Sequence, residues 1–306
     1  MSKILLIGGT GFVGTAIARQ LTAQGHILRF ATRRRDRAKH LITLPTAEVV
    51  EANVHDPRVL EQLMRDQDVV ISLVGILRGN FMRAHAELPE KIAAAAKAAG
   101  VRRIVHISAL GAAADAPSAY LRSKAAGEEA LKRSELDVTI LQPSVIFGQG
   151  DSFLTLFSSI QACVPVLPLA CPNAQFQPVW VEDVAAAVVH SLAQSESIGQ
   201  TYALGGPRTY ALKELVAYAG AVAGHRAAII GLPAPLSYLQ ALAMEIVGGP
   251  MTRDNYYSMQ KPNVCAQAPS LPFGLAATPL EAVAPGYLRD GRWRAGNDRF
   301  REHARR

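Results

Sequence analysis

Two side chains four residues apart, Tyr120 and Lys124, carry the most specific chemistry in this 306-residue sequence. They fall in SAYLRSKAAGEEAL, which reads as a helix, and residues at i and i+4 share one helix face. An ammonium beside a phenol favours the phenolate, so the pair could pass a proton to or from a carbonyl oxygen. A second group of residues suits a diphosphate. Gly8, Gly11 and Gly14 lie between an apolar run, residues 4–7, and an amphipathic run with Val13, Ile17 and Leu21 at helical spacing. Gly8 lets the chain leave the strand sharply, Gly11 keeps a Cβ away from a pyrophosphate, and Gly14 lets the helix lie close on the sheet. The free amides and positive dipole end of that helix stabilise each negative charge by roughly 0.3–1 kcal/mol when exposed. Thr10, Phe12 and Val13 complete the turn as candidate contacts. Strand, glycine turn and helix in this order point to a dinucleotide, so hydride would move at a nicotinamide while a proton moves at Tyr120.

Cofactor choice is read at the next strand, residues 27–31. It ends at Thr32 and Arg33, about 20 residues past the glycines, where NAD sites place an acid against the ribose 2′-hydroxyl. Here the residues are Arg33, Arg34 and Arg35. A planar guanidinium matches a 2′-phosphate, so NADP(H) is expected over NAD(H), with Arg33 and Arg34 as the contacts.

These residues need a sheet to hold them. Strands are predicted at residues 48–52, 68–73 and 103–108, with helices opening at Asp56-Pro57 and running over about 84–99 to a cap at Gly100. Pro89 marks a break or a late start in the second of these. Asn53 and Val54 fall at the expected adenine edge, and Val74-Gly75 lets the backbone pass close under the cofactor. Alternating strands and helices predict an α/β, Rossmann-type, doubly wound parallel sheet. The chain divides into a dinucleotide-binding domain, 1–148 with 179–205, a smaller interwoven C-terminal lobe, 149–178 with 206–288, and a basic tail, 289–306. The substrate is expected between the lobe and the carboxyl edge of the sheet, with Gln175 and Gln177 as candidate polar contacts.

Composition narrows the function classes. A content of 49% hydrophobic residues is ample for a core, and no apolar run approaches the ~18–20 residues that span a bilayer. The expected location is cytoplasmic, in solution or peripheral at the inner face of the membrane. The net charge of +7 is uneven: residues 33–39 hold five cations against one acid, and residues 289–306 hold seven arginines against three acids. Two local patches do not make a nucleic-acid footprint, and no nucleic acid is expected. Cys163, Cys171 and Cys265 have no metal-ligand spacing, so no metal is expected and all three read as packing residues.

The glycine pattern, the Tyr120/Lys124 pair, the turn PSVIFG at residues 143–148 and VWVEDVA at residues 179–185 together resemble an extended or atypical short-chain dehydrogenase/reductase. That resemblance implies Tyr120 as acid/base, Lys124 on the nicotinamide ribose, and Pro143 and Val145 bordering the nicotinamide. The orienting serine or threonine of such enzymes usually stands where this chain has Ala109, so the resemblance leaves two alternatives: Ser108 takes that role as a catalytic residue, or no residue does. The elements MTRDN (251–255) and PNV (262–264), YLRSKAAGE (120–128) and the closing PFGLAATPLEAVAPGYL (272–288) are similar to the NAD(P)H-binding accessory subunit of respiratory complex I and its bacterial relatives. This implies a tightly held NADPH, a structural or assembly role, and a link to ubiquinone synthesis. Three functions are therefore expected as alternatives: reduction of a carbonyl or quinone-related molecule, a non-catalytic NADPH-binding accessory protein, and a sugar-nucleotide epimerase.

Residues 236–247 are apolar nearly all round. A core helix is the plain reading, and a helix lying on a membrane or a respiratory partner is the sharper one. The tail mixes arginines with Trp293 and Phe300, suited to an anionic lipid or an acidic partner, and reads equally as a solvated end.

Overall fold

The computed structural model describes residues 1–267 and 270–289. In chain order the elements are β1 (Lys3–Ile7), α1 (Phe12–Ala23), β2 (Ile27–Thr32), β3 (Ala47–Glu51), α2 (Pro57–Met64), β4 (Val69–Ser72), α3 (Leu88–Ala99), β5 (Arg103–Ile107), α4 (Ala119–Lys132) and β6 (Asp137–Pro143). Next come β7 (Ile146–Phe147), α5 (Leu154–Cys163), β8 (Val166–Leu169), β9 (Gln175–Phe176) and β10 (Val179–Trp180). Then follow α6 (Val181–Ala193), β11 (Thr201–Leu204), β12 (Tyr210–Ala211), α7 (Leu212–Ala223), β13 (Ala228–Gly231), α8 (Ala234–Ile246), α9 (Arg253–Ser258) and α10 (Leu280–Leu288).

Seven strands make one parallel sheet in the order β11-β6-β5-β4-β1-β2-β3. The expected doubly wound, Rossmann-type sheet is the observed one. Its order reverses between β1 and β4, the switch point beyond whose carboxyl ends such sheets bind ligands. Ile4, Leu5, Leu6 and Ile7 are each 0% exposed, as a strand covered on both faces requires. Leu60, Leu63 and Met64 of α2 and Ile92 and Ala96 of α3 pack on Leu5, Val70 and Ile104 of the sheet. Local signals set the helix ends. Asp56 accepts the Arg58 amide at 2.9 Å to start α2, Pro89 stands in the first turn of α3 after a π-turn at Arg83–Glu87, and Gly100 closes α3 with φ 77°.

The chain forms two units. The first is Met1–Pro143, Val181–Leu204 and Cys265–Ala276, which hold the whole seven-stranded sheet; the second is Ser144–Trp180, Gly205–Val264 and the chain from Ala277. In the second unit α5, α7 and α10 pack around Leu154, Leu215, Ala219 and Leu280, beside three two-stranded pairings. Asn263 fastens its start: Ser144 Oγ donates to Asn263 Oδ1 at 2.5 Å and the Val145 amide donates to the same oxygen at 3.2 Å.

Two expectations are corrected. The segment at residues 236–247 is not a core helix: within α8 only Ser237 and Ala241 are buried, while Leu236, Leu239 and Ile246 are 48%, 57% and 76% exposed. Ser237 and Gln240 tie α8 down through Leu232 O and Pro168 O, and the apolar stripe at i, i+3 and i+10 turns away from them. Cys163 is exposed, so it is no packing residue. The basic tail, apart from Arg289, lies outside the described residues. Among the described residues no helix is long and apolar enough to cross a membrane.

Candidate functional site

The glycine turn connects β1 to α1 at the switch point. Gly8 has φ +81°, and a Cβ there would stand 3.0 Å from the backbone of Leu73 and Val74 at the end of β4. Gly14 is needed for a reason the sequence did not supply: its Cβ would collide with the Gly9 carbonyl, so the close approach is within the turn rather than onto the sheet. Gly9, which sequence reasoning missed, has its own constraint, since a Cβ would meet Leu6 and Phe30. Gly11 is different. The nearest atom to a Cβ there is Gly8 O at 4.0 Å, and Gly11 is the N-cap of α1 with no side-chain cap and no acid in the first turn. Exposed Gly11, half-buried Thr10, Phe12 and Val13, and the uncapped amides of α1 thus form a cradle that fits a diphosphate.

At the end of β2, Arg33, Arg34 and Arg35 are exposed. Arg34 pairs with Asp36 (Nη2 to Oδ2, 3.0 Å), and the Arg35 amide donates to Glu51. Among the described residues no carboxylate pairs with Arg33. Asn53 Oδ1 accepts the His55 amide at 3.2 Å, and Val54 packs on the core. The His55 imidazole is held below its usual range mainly by burial and then by Arg83, Lys91 and Arg33. The Glu87 carboxylate acts the other way, Lys91 Nζ donates to His55 O at 3.2 Å, and neither Arg83 nor Lys91 was among the residues singled out from sequence.

Lys124 reaches the ends of β4 and β5 from α4, and Tyr120 lies one turn before it on the same helix. Ser118 caps α4 by accepting the Leu121 amide, which sets Tyr120 in the first turn and Lys124 one turn on. Lys124 is 3% exposed, and its Nζ donates to Val74 O and to Ile107 O, each at 3.2 Å. Burial lowers it to about 8, with Glu128 one turn further acting the other way. Gly75 leaves room beside that ammonium, a Cβ there standing 3.7 Å from Lys124 Nζ. Burial pushes the Tyr120 phenol up to about 12. The expectation of a phenolate favoured by Lys124 is thus corrected: the ammonium is turned toward two carbonyls, and desolvation holds the phenol protonated.

Ser108 follows Ile107 directly, and its Oγ is buried without a hydrogen-bond partner among the described residues. His106 Nδ1 lies 3.1 Å from Ser72 Oγ, and burial with the nearby Lys124 charge lowers the ring to about 3. His85, also lowered to about 3 by burial and Lys124, touches the Tyr120 ring edge-on with centroids 5.3 Å apart. Neither histidine was distinguished in the sequence, where His106 stands in an apolar run and His85 between Arg83 and Glu87. Lys124 is then the cation of this cluster at neutral pH, and the array can donate a proton from Tyr120 and a hydrogen bond from Ser108.

Other predicted residues have structural partners. Pro143, at the end of β6, accepts the Leu110 amide at 3.0 Å, and Val145 O accepts the Val179 amide in the second unit. Gln177 Nε2 donates to Gly206 O at 2.7 Å, and Gln175 Nε2 to Asn173 O.

Comparison with known proteins bears on the fold and on the class of nucleotide. Residues 8–152 match a family described as NAD(P)H-binding. The chain is 35% identical over 221 residues to the mitochondrial NADH dehydrogenase [ubiquinone] 1 alpha subcomplex subunit 9 of Arabidopsis thaliana, covering 69% of this chain and 55% of that protein. It thus spans little more than half the length of that relative. It is 30% identical over 237 residues to a ceramide reductase of Caulobacter vibrioides, covering 76% and 74%. Among solved structures, Pal from Bacillus thuringiensis superposes with a TM-score of 0.74 at 13% identity, covering 94% and 98%, a likeness of fold.

Proposed function

This chain belongs to the NAD(P)H-binding, short-chain-dehydrogenase-like family of those relatives, and from that we propose that it binds NADP(H) and reduces a carbonyl or quinone-related small molecule. The observation that carries the reading is the buried group at the end of β5. Ser108 offers an unpartnered hydroxyl, the residue before it receives the Lys124 ammonium, and the Tyr120 phenol is protonated at neutral pH. When bound, the nicotinamide supplies the hydride. Tyr120 would give its proton to the substrate oxygen while Ser108 donates a hydrogen bond to that oxygen; a carbonyl leaves as an alcohol or a quinone as a hydroquinone, and the Tyr120 phenolate takes a proton back from solvent. An ammonium has three donors and two of Lys124's are committed, so the third is assigned to a ribose hydroxyl. The diphosphate is assigned to Gly8, Thr10, Gly11, Phe12, Val13 and Gly14, the 2′-phosphate to Arg33 with Arg34, and the adenine edge to Asn53 and Val54. Val74, Gly75 and Pro143 are assigned to the nicotinamide end.

Tyr120→Phe tests the reading. It should keep NADPH affinity and abolish NADPH oxidation by aldehydes, ketones and benzoquinones that the parent reduces. A variant as active as its parent overturns the assignment.

The exposed stripe of α8 favours a second reading, in which NADPH is a structural ligand and residues 236–247 dock on a respiratory complex or the membrane surface from the cytoplasmic side. Leu239→Glu with Ile246→Glu should leave the melting temperature unchanged and move the protein from the membrane fraction to the supernatant. A parent already wholly in the supernatant and without a co-purifying complex ends this reading.

A further inference from the structure

One imidazole joins the turn after β4 to the helix that carries Tyr120. His85, in the π-turn Arg83–Glu87, is 1% exposed. Its Nε2 accepts the Ile76 amide at 2.9 Å, which assigns the ring proton to Nδ1, 3.0 Å from Ser123 Oγ. Ser123 donates onward to the Tyr120 carbonyl at 2.7 Å. Phe81 stacks on the imidazole with centroids 5.8 Å and planes 12° apart, and Tyr120 meets it edge-on. The approach depends on Gly127 of α4, where a Cβ would collide with the His85 carbonyl. Single π-turns inside helices are frequent at functional sites, and this one faces α4.

The turn is held at both ends. Lys124 takes the Val74 carbonyl and His85 takes the Ile76 amide, with Gly75 between them. Because burial keeps the ring uncharged across the physiological range, it acts as a fixed donor through Nδ1 and a fixed acceptor through Nε2 and takes up no second proton.

We propose that His85 is a positioning residue of the nicotinamide site, locking the turn around Gly75 to α4 and so setting the separation between that turn and the Tyr120 phenol. The proposal rests on the hydride-transfer reading above. A misplacement of about 1 Å at such a site costs on the order of 100-fold in rate.

The test uses the full chain with His85→Phe, which keeps a flat ring against Phe81 and loses both nitrogens, and His85→Gln, which keeps a donor and an acceptor. Exchange of the Ile76 amide and the fluorescence-measured affinity for NADPH are followed. In His85→Phe, Ile76 should exchange about tenfold faster or more and NADPH should bind about tenfold more weakly, with His85→Gln recovering most of both. If His85→Phe fails to fold, Ser123→Ala, which removes only the Nδ1 partner, is read by the same two measurements. Parent-like exchange and affinity in the variant that folds overturn the proposal. A parent that binds no NADPH overturns the nicotinamide reading instead.

Discussion

Lys124 reaches from α4 to the backbone carbonyl of Val74, 3.2 Å away, and so ties the helix that carries Tyr120 to the end of β4 at the sheet's switch point. An ammonium buried in this way stiffens the site, and its desolvation shows in the response to pH.

Burial lowers Lys124 from 10.5 to about 8. Between those values the unfolded chain keeps a proton that the folded chain has lost, so this group makes stability rise with pH across the window, by at most about 3–4 kcal/mol. The opposite effect of Tyr120, raised from 10.0 to about 12, begins only above pH 10. Cys171 and Cys265, each raised from 9.0 by burial, act the other way in this window in both proteins, so it is the urea midpoint of the parent relative to Lys124→Met that should climb between pH 8 and 10. Parallel curves would remove the buried charge from the account.

Gly11 and Gly14 should part company. Gly11→Ala meets nothing closer than 4.0 Å, so it should melt with its parent and lose at least about tenfold in NADPH affinity, because the methyl fills the cradle. Gly14→Ala drives a methyl into the Gly9 carbonyl and should cost stability as well. Calorimetry with a nucleotide titration checks both, and an unaffected affinity in Gly11→Ala would displace the diphosphate from this turn.

Arg33 and Arg34 should contribute unequally to cofactor choice. Arg34 already pairs with Asp36, an exposed ion pair worth at most about 1 kcal/mol, and must leave it to reach a phosphate. Arg33→Ala is expected to weaken NADPH roughly tenfold with NADH unchanged, and Arg34→Ala by less. Equal losses for the two nucleotides would refute the 2′-phosphate assignment.

Asn263→Ala should destabilise the second unit by about 1–3 kcal/mol, since Ser144 Oγ and the Val145 amide lose their shared acceptor. Asn263→Asp keeps that oxygen and should lie closer to the parent. Thermal melts that leave Asn263→Ala within about 0.5 kcal/mol of the parent would show that the clip is not needed.

The parts of this protein readable from its residues are contiguous ones. The strand, glycine turn and helix occupy one short stretch, and the Tyr120/Lys124 face follows from helix geometry alone, so the α/β sheet and the members of the candidate site were legible. The direction of the Lys124 ammonium was not, because its two acceptors lie 50 and 17 residues away. His85 is invisible for the same reason: its Ser123 partner is 38 residues distant. Asn263 was noticed only as part of a motif, and it meets Ser144 across 119 residues. The α8 run failed differently. An apolar pattern reports that a face avoids water, and it does not report whether this chain or another molecule covers it.

Backbone sterics and amphipathic period act over a few neighbouring positions, so they specify which elements form and which residues share a face. Which buried polar groups meet, and whether Tyr120 holds its proton at pH 7, depends on loop closures over dozens of residues and on how completely water is shut out. Those are properties of the folded whole, and they turned a pair expected to stabilise a phenolate into a protonated phenol and an ammonium moored to two backbone carbonyls.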